Sequence, residues 1–272
     1  MDIVRLVYYY INKEVEPMAE TELLSSLSNA LRILEAFKID DPQKGVREIA
    51  QELEIPKSTV HRILHTLSHY GYVRKDHETN KYELGLSILE LNTIFLTNLD
   101  LHTEALPIVE KLAETYRETS HLAVLDHLDL VYVCKVEGKN SEFTPSYTGL
   151  HNFIHCTSSG KLLLASSPRH LAEEVIKNGL ERFTDTTFTD PDEFREELNT
   201  IYHQGYSISH GEYRSNSSSI SAPVRNYNGH VIAAINLVIP TKRFNRSKVE
   251  QYIKALTHAG NMISERLGYY ER

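Results

Sequence analysis

The stretch that decides the fold is residues 45–84, GVREIAQELEIPKSTVHRILHTLSHYGYVRKDHETNKYEL. Its middle, residues 55–75, contains no aspartate or glutamate, although the whole chain of 272 residues has a formal net charge of −8. The window holds four cations and three histidines: Lys57, Arg62, Arg74, Lys75, His61, His65 and His69. Because a carboxylate beside a phosphate opposes what a lysine gains there, an acid-free window in an acidic protein indicates an anion-facing surface.

Apolar residues in this stretch recur with the spacing of two short helices. Each set falls at i, i+3, i+4 and i+7, which makes one apolar stripe per helix. The two sets are Val46, Ile49, Ala50 and Leu53, then Val60, Ile63, Leu64 and Leu67. Pro56 is expected at the first position of the second helix, where its missing N–H is not needed. Two such helices joined by a tight turn, with the second one cationic outside, predict a helix-turn-helix.

A wing is expected after the second helix, because residues 72–75 and 81–84 are strand-like and flank a polar turn. We therefore expect DNA contacts from the second helix and the first wing strand. The candidate DNA-binding residues are Lys57, Ser58, Thr59, His61, Arg62, His65, Arg74 and Lys75. The alternative is ordinary packing with solvated cations. The acid-free window, the hydroxyls at the helix start and the cationic strand together favour nucleic acid.

Composition bounds the rest of the chain. Residues 1–20, 21–84 and 85–272 carry net charges of −2, −1 and −5, which disfavours coating of DNA without sequence preference. Cys134 and Cys156 are too few for a disulfide framework, so a reducing cytoplasm is the expected setting. No apolar run approaches the ~20 residues that span a membrane, so no membrane partner is expected. We treat residues 1–20 as an N-terminal extension, with Met18 as an alternative start.

The predicted organisation is α+β, with an N-terminal winged helix-turn-helix at 21–84, a linker helix at 85–100 and a second domain at 101–272. Ser28 is expected to be the N-cap of the first helix. In the second domain we expect two hairpins, at residues 121–136 and 219–239. The helices expected there are residues 101–119, 158–165, 168–177, 191–204 and 248–266.

Over roughly residues 27–267 the sequence resembles the IclR-type bacterial transcriptional regulators. The resemblance rests on the order and spacing of eight short runs. They are SNALRILEAF (28–37), VREIAQEL (46–53), PKSTVHRIL (56–64), YELG (82–85), HLAVLD (121–126), VYVCKVE (131–137), HCTSSGKLLLA (155–165) and APVR (222–225). It implies a winged helix-turn-helix joined by a linker helix to an α/β, GAF-like effector-binding domain, assembled as homodimers or homotetramers.

The resemblance also implies an effector pocket. It points to Thr144, Thr157, Ser158, Ser209, Glu212, Ser219, Asn236 and Val238. Ser209 stands where an acid is frequent in the family, Ser219 where a cysteine is, and Val238 where a serine is. Free N–H groups at a helix start, with the hydroxyls of Thr157 and Ser158, suit a small carboxylate effector. The alternative for Ser219, Asn236 and Val238 is that they are only strand residues.

Catalytic chemistry is not expected. The triplet Ser159, Gly160, Lys161 lacks the other residues of a phosphate-binding loop, and His155 beside Cys156 lacks an orienting acid. His203, His210 and Glu212 match no metal-site spacing, so neither a metal nor a cofactor is expected.

The sequence thus predicts a homo-oligomeric, cytoplasmic repressor of a catabolic operon, which binds a near-palindromic double-stranded operator and responds to a small organic acid. One alternative is a small-metabolite enzyme with an attached DNA-binding domain. The other is a structural DNA-binding protein without sequence preference.

Overall fold

The computed structural model describes residues 23–141 and 146–270. These residues form two compact units, 23–98 and 99–270. The predicted extension at 1–20 and the candidate effector residue Thr144 lie outside the described residues.

The first unit is the predicted winged helix-turn-helix. Its elements are α1 (Ser25–Glu35), α2 (Val46–Glu52), α3 (Lys57–His69), β1 (Val73–Lys75), β2 (Tyr82–Leu84) and α4 (Leu86–Thr97). The strands pair antiparallel and form the wing, with Val73 opposite Leu84. The predicted stripes of α2 and α3 meet in one core around Ile33, because Ile49, Val60 and Leu64 are all fully buried.

Two helix starts differ from the sequence prediction. Pro56 is the N-cap of α3 rather than its first residue, because its carbonyl accepts hydrogen bonds from the N–H groups of Thr59 and Val60. Ser28 lies inside α1 and does not cap it, since the chain is already helical from Ser25. The turn between α2 and α3 is closed by Glu54, whose φ of 56° lies in the left-handed region. No glycine marks that turn in the sequence.

The second unit is built on a six-stranded sheet in which every neighbouring pair is antiparallel, in the order β5-β4-β3-β8-β7-β6. Its strands are β3 (Thr119–Asp126), β4 (Asp129–Val136), β5 (His151–Asn152), β6 (Ser207–His210), β7 (Ser217–Arg225) and β8 (Val231–Pro240). Its helices are α5 (Asp100–Tyr116), α6 (Ser158–Ala165), α7 (Arg169–Asn178), α8 (Pro191–Gln204) and α9 (Arg246–Arg266). Both predicted hairpins are present, as β3–β4 and β7–β8. The edge strands β5 and β6 were not predicted, because two and four residues show too little alternation.

Helices cover both faces of this sheet, and each face has its own core. Ile220, Leu237 and Leu122 pack on one face against α5 and α9. On the other face Ala123 and Ala234 pack under α6, α7 and α8. Successive side chains of a strand point to opposite faces, so alternate residues of each central strand enter different cores. No helix among the described residues is long and apolar enough to cross a membrane.

Candidate functional site

One side of α3 is open to solvent and the other is buried. The predicted contact residues Lys57, Ser58, His61, Arg62 and His65 are exposed, and Thr59 is half-buried. The opposite side packs in the core through Val60 and Leu64, so the helix cannot rotate without exposing them. The structure therefore brings the six predicted α3 residues to a single surface.

The cations of this surface are Lys57 and Arg62. No carboxylate of the described residues lies within ion-pair distance of Lys57 or Arg62. No side chain caps the start of α3, so the first N–H groups of the helix are open to an anion. Two unpaired cations and an uncapped helix start together form a surface that suits phosphate.

The cations of the wing are mostly neutralised within the protein. Arg74 forms a two-nitrogen ion pair with Glu83. Hydrogen bonds from Gln43 and Arg74 hold the pKa of Glu83 below its usual range. Lys81 pairs with Glu48 at 3.0 Å. Lys75 lies 5.9 Å from the centre of the Tyr82 ring. Arg74 and Lys81 are thus paired with acids, whereas Lys57 and Arg62 on α3 form no ion pair with a described residue.

The second unit contains a cleft on the face of β3, β8 and β7 that α6 partly covers. The described residues that line it are His121, Tyr132, Ser146, Asn152, Cys156, Thr157, Ser209, Tyr213, Arg214, Ser217, Ser219 and Val238. None of these is acidic, and Arg214 is the one arginine or lysine among them. Four of the predicted effector residues are present, and they are Thr157, Ser209, Ser219 and Val238. The other eight were missed, because nothing in the local sequence places them beside one another.

The register of three strands decides which predicted residues face the cleft. Ser219 lies opposite Val238 across the β7–β8 pair, and this row borders the cleft. The next row of the same face holds Ser221, Asn236 and His121. Asn236 is almost completely buried and lies outside the cleft. Asn236 was predicted to line the effector pocket, but it lies one row away from the lining residues Ser219 and Val238. There α6 covers it.

A chain of hydrogen bonds joins this buried row to the start of α6. Asn236 donates to Ser159 (2.8 Å), and Ser158 donates to Ser219 (2.7 Å). Ser221 lies between the two serines of α6, 3.0 Å from Ser159 and 2.6 Å from Ser158. Each hydroxyl has a single proton, so the chain runs from Asn236 through Ser159, Ser221 and Ser158 to Ser219. The hydroxyl proton of Ser219 is left to donate into the cleft.

The other end of the chain is His121, which is fully buried and stacks on Tyr132 at 4.2 Å between ring centres. Its backbone N–H and its Nδ1 both lie close to Oδ1 of Asn236, at 3.1 and 3.0 Å. Nδ1 therefore carries the proton, and Nε2 accepts a hydrogen bond from Ser146 at 2.8 Å. Burial lowers the pKa of His121 from 6.5 to about 4, so the ring is neutral at physiological pH.

The hydroxyls at the start of α6 are used inside the protein. Oγ1 of Thr157 accepts the N–H of Gly160 (3.2 Å) and donates to the carbonyl of Phe153 (3.0 Å). Ser158 is fully buried and does not line the cleft. A Cβ at position 160 would lie 2.1 Å from the carbonyl oxygen of Ile154, so only glycine lets the helix start approach so closely. Neither Thr157 nor Ser158 offers a spare hydroxyl proton to a ligand.

Glu212 was predicted to face the effector, but it belongs to a buried ion cluster. Its carboxylate accepts a hydrogen bond from Lys161 at 2.7 Å, and Lys161 also binds Glu197 at 2.8 Å. The ammonium of Lys161 lies 4.9 Å from the ring centre of Phe188. Burial raises the pKa of Glu212, and Lys161 opposes part of that effect. The triplet that resembles a phosphate-binding loop thus supplies a structural lysine.

The pair His155 and Cys156 shows no nucleophile geometry. His155 binds the carbonyl of Glu181 at 2.9 Å rather than the thiol. Burial raises the pKa of Cys156 to about 12, which keeps the sulfur protonated and unreactive. Among the described residues no group of three or more histidine, cysteine or acidic side chains is arranged to hold a metal ion.

Both units match known protein families. Residues 26–77 match the family described as "IclR helix-turn-helix domain", and residues 93–265 match "Bacterial transcriptional regulator IclR C-terminal". The chain is 32% identical to the transcriptional regulator KdgR of Dickeya chrysanthemi, over 93% of this chain and 83% of that protein. It is 31% identical to KdgR of Escherichia coli K12, over 93% and 96%.

A solved relative has a similar fold along most of its length. It is an IclR homologue of Microbacterium hydrocarbonoxydans, in a crystal structure with 4-hydroxybenzoate. The TM-score is 0.82 at 29% identity, and the match covers 89% of this chain and 99% of that one.

We expect His121 to make the stability of the second unit depend on pH. The unfolded chain binds the His121 proton with a pKa near 6.5 and the folded unit with one near 4, so the neutral form stabilises the fold above pH 6.5. That stability is lost as pH falls from 6.5 to 4, by about 3 kcal/mol. Urea unfolding of wild type and His121→Gln across this range measures the difference. The exposed His203→Gln variant should keep the wild-type slope, and an equal slope in His121→Gln would contradict the assignment.

Proposed function

The chain belongs to the IclR family of bacterial transcriptional regulators, and from this premise we propose that it is a cytoplasmic, sequence-specific repressor whose DNA affinity is controlled by a small organic acid. It is a regulator and not an enzyme, because both matched domains and the similar curated proteins are regulators. The regulated genes proposed are those of a catabolic operon.

The DNA-binding half of the proposal rests on the unpaired cations of α3. The proposed contacts are Lys57, Ser58, Thr59, His61, Arg62 and His65 on α3, with Arg74 and Lys75 on the wing. Arg62 lies one turn into the exposed face, where a recognition helix reaches base edges. Ser58 and Thr59 are near the uncapped helix start, where a phosphate would accept hydrogen bonds. To contact DNA, Arg74 would have to break its ion pair with Glu83 or bind DNA while the pair remains intact.

We expect Arg62→Ala to weaken operator binding by about 1–3 kcal/mol while leaving folding intact, because its side chain is exposed and forms no ion pair with a described residue. The operator is first selected from random duplexes and then titrated in gel-shift assays. Lys38→Ala is the control, since Lys38 is an exposed cation of the same unit outside α3. Unchanged affinity in Arg62→Ala would remove this residue from the interface. Equal affinity of wild type for selected and unrelated DNA would instead support the alternative without sequence preference.

The proposed assembly is a homodimer or homotetramer on a near-palindromic operator, since one winged helix reading one half-site binds weakly. The supporting feature is α4, which has no buried residue although its composition is apolar. Leu86, Leu89, Leu91, Ile94 and Phe95 are all more than half exposed. An apolar surface of this kind marks a protein interface.

Sedimentation should therefore show an oligomer at micromolar concentration. The double variant Leu91→Glu, Phe95→Glu should shift the protein towards monomer, because it places two charges on the apolar surface of α4. Tyr202→Glu is the control, being an exposed aromatic residue of α8 in the second unit. A wild-type monomer that retains operator binding would contradict the proposed assembly.

The effector half of the proposal rests on the acid-free lining of the cleft. The described polar residues of the lining are neutral or positive, Ser219 has a proton to donate, and Val238 supplies an apolar wall. A small carboxylate meets no repulsion there, because Ser209 stands where an acid would have opposed it. The proposed effector residues are Thr157, Ser209, Ser219 and Val238, while Ser158 and Asn236 support them from behind. Thr144 remains proposed from resemblance only.

Filling the cleft should abolish effector binding without disturbing DNA binding. We expect Val238→Phe to remove the thermal stabilisation that a panel of small monocarboxylates gives to the wild type. Val238 is half-buried at the cleft wall, so a larger side chain extends into the cleft. If the effector lowers the affinity of the protein for its operator by some factor, bound operator must lower the affinity for the effector by the same factor. A monocarboxylate that binds wild type and Val238→Phe with equal affinity would place the effector site elsewhere.

A further inference from the structure

Arg214 occupies a distinct position in the cleft. It lies in the short loop between β6 and β7, which also carries Glu212 and Tyr213. Arg214 is exposed, and its guanidinium carbon lies 5.3 Å from the centre of the Tyr213 ring. Among the described lining residues it is the one permanent cation.

Arg214 has no acidic partner within the part of the chain that the structure describes. Other arginines of the same unit are paired. Arg195 binds Glu173 at 2.6 Å, and Arg243 binds Glu118 at 2.9 Å. Arg214 forms neither an ion pair nor a side-chain hydrogen bond with any described residue. Its planar fork of N–H donors is therefore available to a ligand.

The loop that carries Arg214 is held firmly at its base. Lys161 binds the side chain of Glu212, and Thr187 donates to the carbonyl of Glu212 at 2.6 Å. Thr184 donates to the carbonyl of Gly211 at 2.7 Å. The same contacts direct the Glu212 carboxylate into the protein and pair it with Lys161. The nearest acid along the loop therefore does not compete for Arg214.

We propose that Arg214 is the residue that recognises the carboxylate of the effector, with the Lys161–Glu212 pair acting as a positioning contact for its loop. This rests on the proposed function of the cleft as the effector site. An arginine fork donates hydrogen bonds to both oxygens of a carboxylate, and the adjacent Ser219 segment supplies a neutral donor.

The same geometry defines the class of effector. One cation balances one carboxylate, so a second carboxylate on the ligand would enter the cleft without a counter-ion. Beside Arg214, the ring of Tyr213 packs with Phe153 and Phe183 at centre distances of 5.5 and 5.2 Å. Of these three rings, Tyr213 is the one that lines the cleft, and it offers a flat apolar surface to a ligand. The cleft is therefore selective for monocarboxylates with a compact aromatic or apolar part over dicarboxylates of similar size.

The test is a double-mutant cycle between the protein and a ligand, measured by titration calorimetry on the full chain. The probes are 4-hydroxybenzoate and its neutral amide, 4-hydroxybenzamide, with benzoate and pyruvate as further monocarboxylates. Arg214→Gln should weaken each carboxylate that the wild type binds by about 10-fold or more, and should leave the amide unchanged. Arg214→Lys should recover part of the loss, because it restores the charge but not the fork. Lys254→Gln removes an exposed cation of α9 and should behave as wild type.

Three outcomes separate the claims. If the wild type binds none of the carboxylates, the proposed effector class fails, and this inference fails with it. If a carboxylate binds wild type and Arg214→Gln equally, Arg214 is not its counter-ion, while the proposed function stands. If Arg214→Gln loses acid and amide alike, the residue shapes the loop and does not recognise charge, which also overturns the inference. Thermal unfolding of Arg214→Gln should match wild type, since the side chain is exposed and forms no ion pair with a described residue.

Discussion

The pairing of β8 between β3 and β7 is the constraint on which the second unit depends. In an antiparallel sheet this pairing fixes which residues lie side by side and which face they share. Here it aligns Asn236 with both His121 and Ser221, and Val238 with Ser219. Asn236 and Ser221 are covered by α6 and bind its serines, while Ser219 and Val238 in the next row line the cleft. A slip of one residue would exchange these polar residues for the apolar face that packs against α5 and α9.

The hydrogen-bond chain satisfies the buried polar groups of the sheet and leaves one hydroxyl proton at the cleft. Buried hydroxyls and amides are costly unless they find partners, and here each member supplies the next. The neutral state of His121 follows from the same burial. The backbone N–H of His121 donates to Oδ1 of Asn236, which turns the amide N–H groups towards Ser159 and so sets the direction of the chain. The free hydroxyl proton of Ser219 at the cleft is therefore a consequence of how the interior of the sheet is satisfied.

Ion pairs decide which charges of this acidic chain remain available. In the first unit Glu83 neutralises Arg74, whereas Arg62 has no described acidic partner. In the second unit Lys161 neutralises Glu212, and Arg214 is left unpaired among the described residues. The α3 surface is positive because residues 55–75 contain no acid, and the cleft is positive because Glu212 is paired with Lys161. This explains how a chain with a net charge of −8 presents two separate surfaces that suit anions.

The sequence by itself determined the winged helix-turn-helix and its outward face, because a 3.6-residue apolar period and an acid-free window are local properties. It also indicated the two hairpins and most helix boundaries. It did not separate Val238 from Asn236, although only the first lines the cleft, because α6 decides which row of the sheet is covered. It also pointed to Glu212 as an effector residue and did not identify Arg214. That choice depends on Lys161, a residue 51 positions away in the chain, which only the tertiary structure brings to the loop.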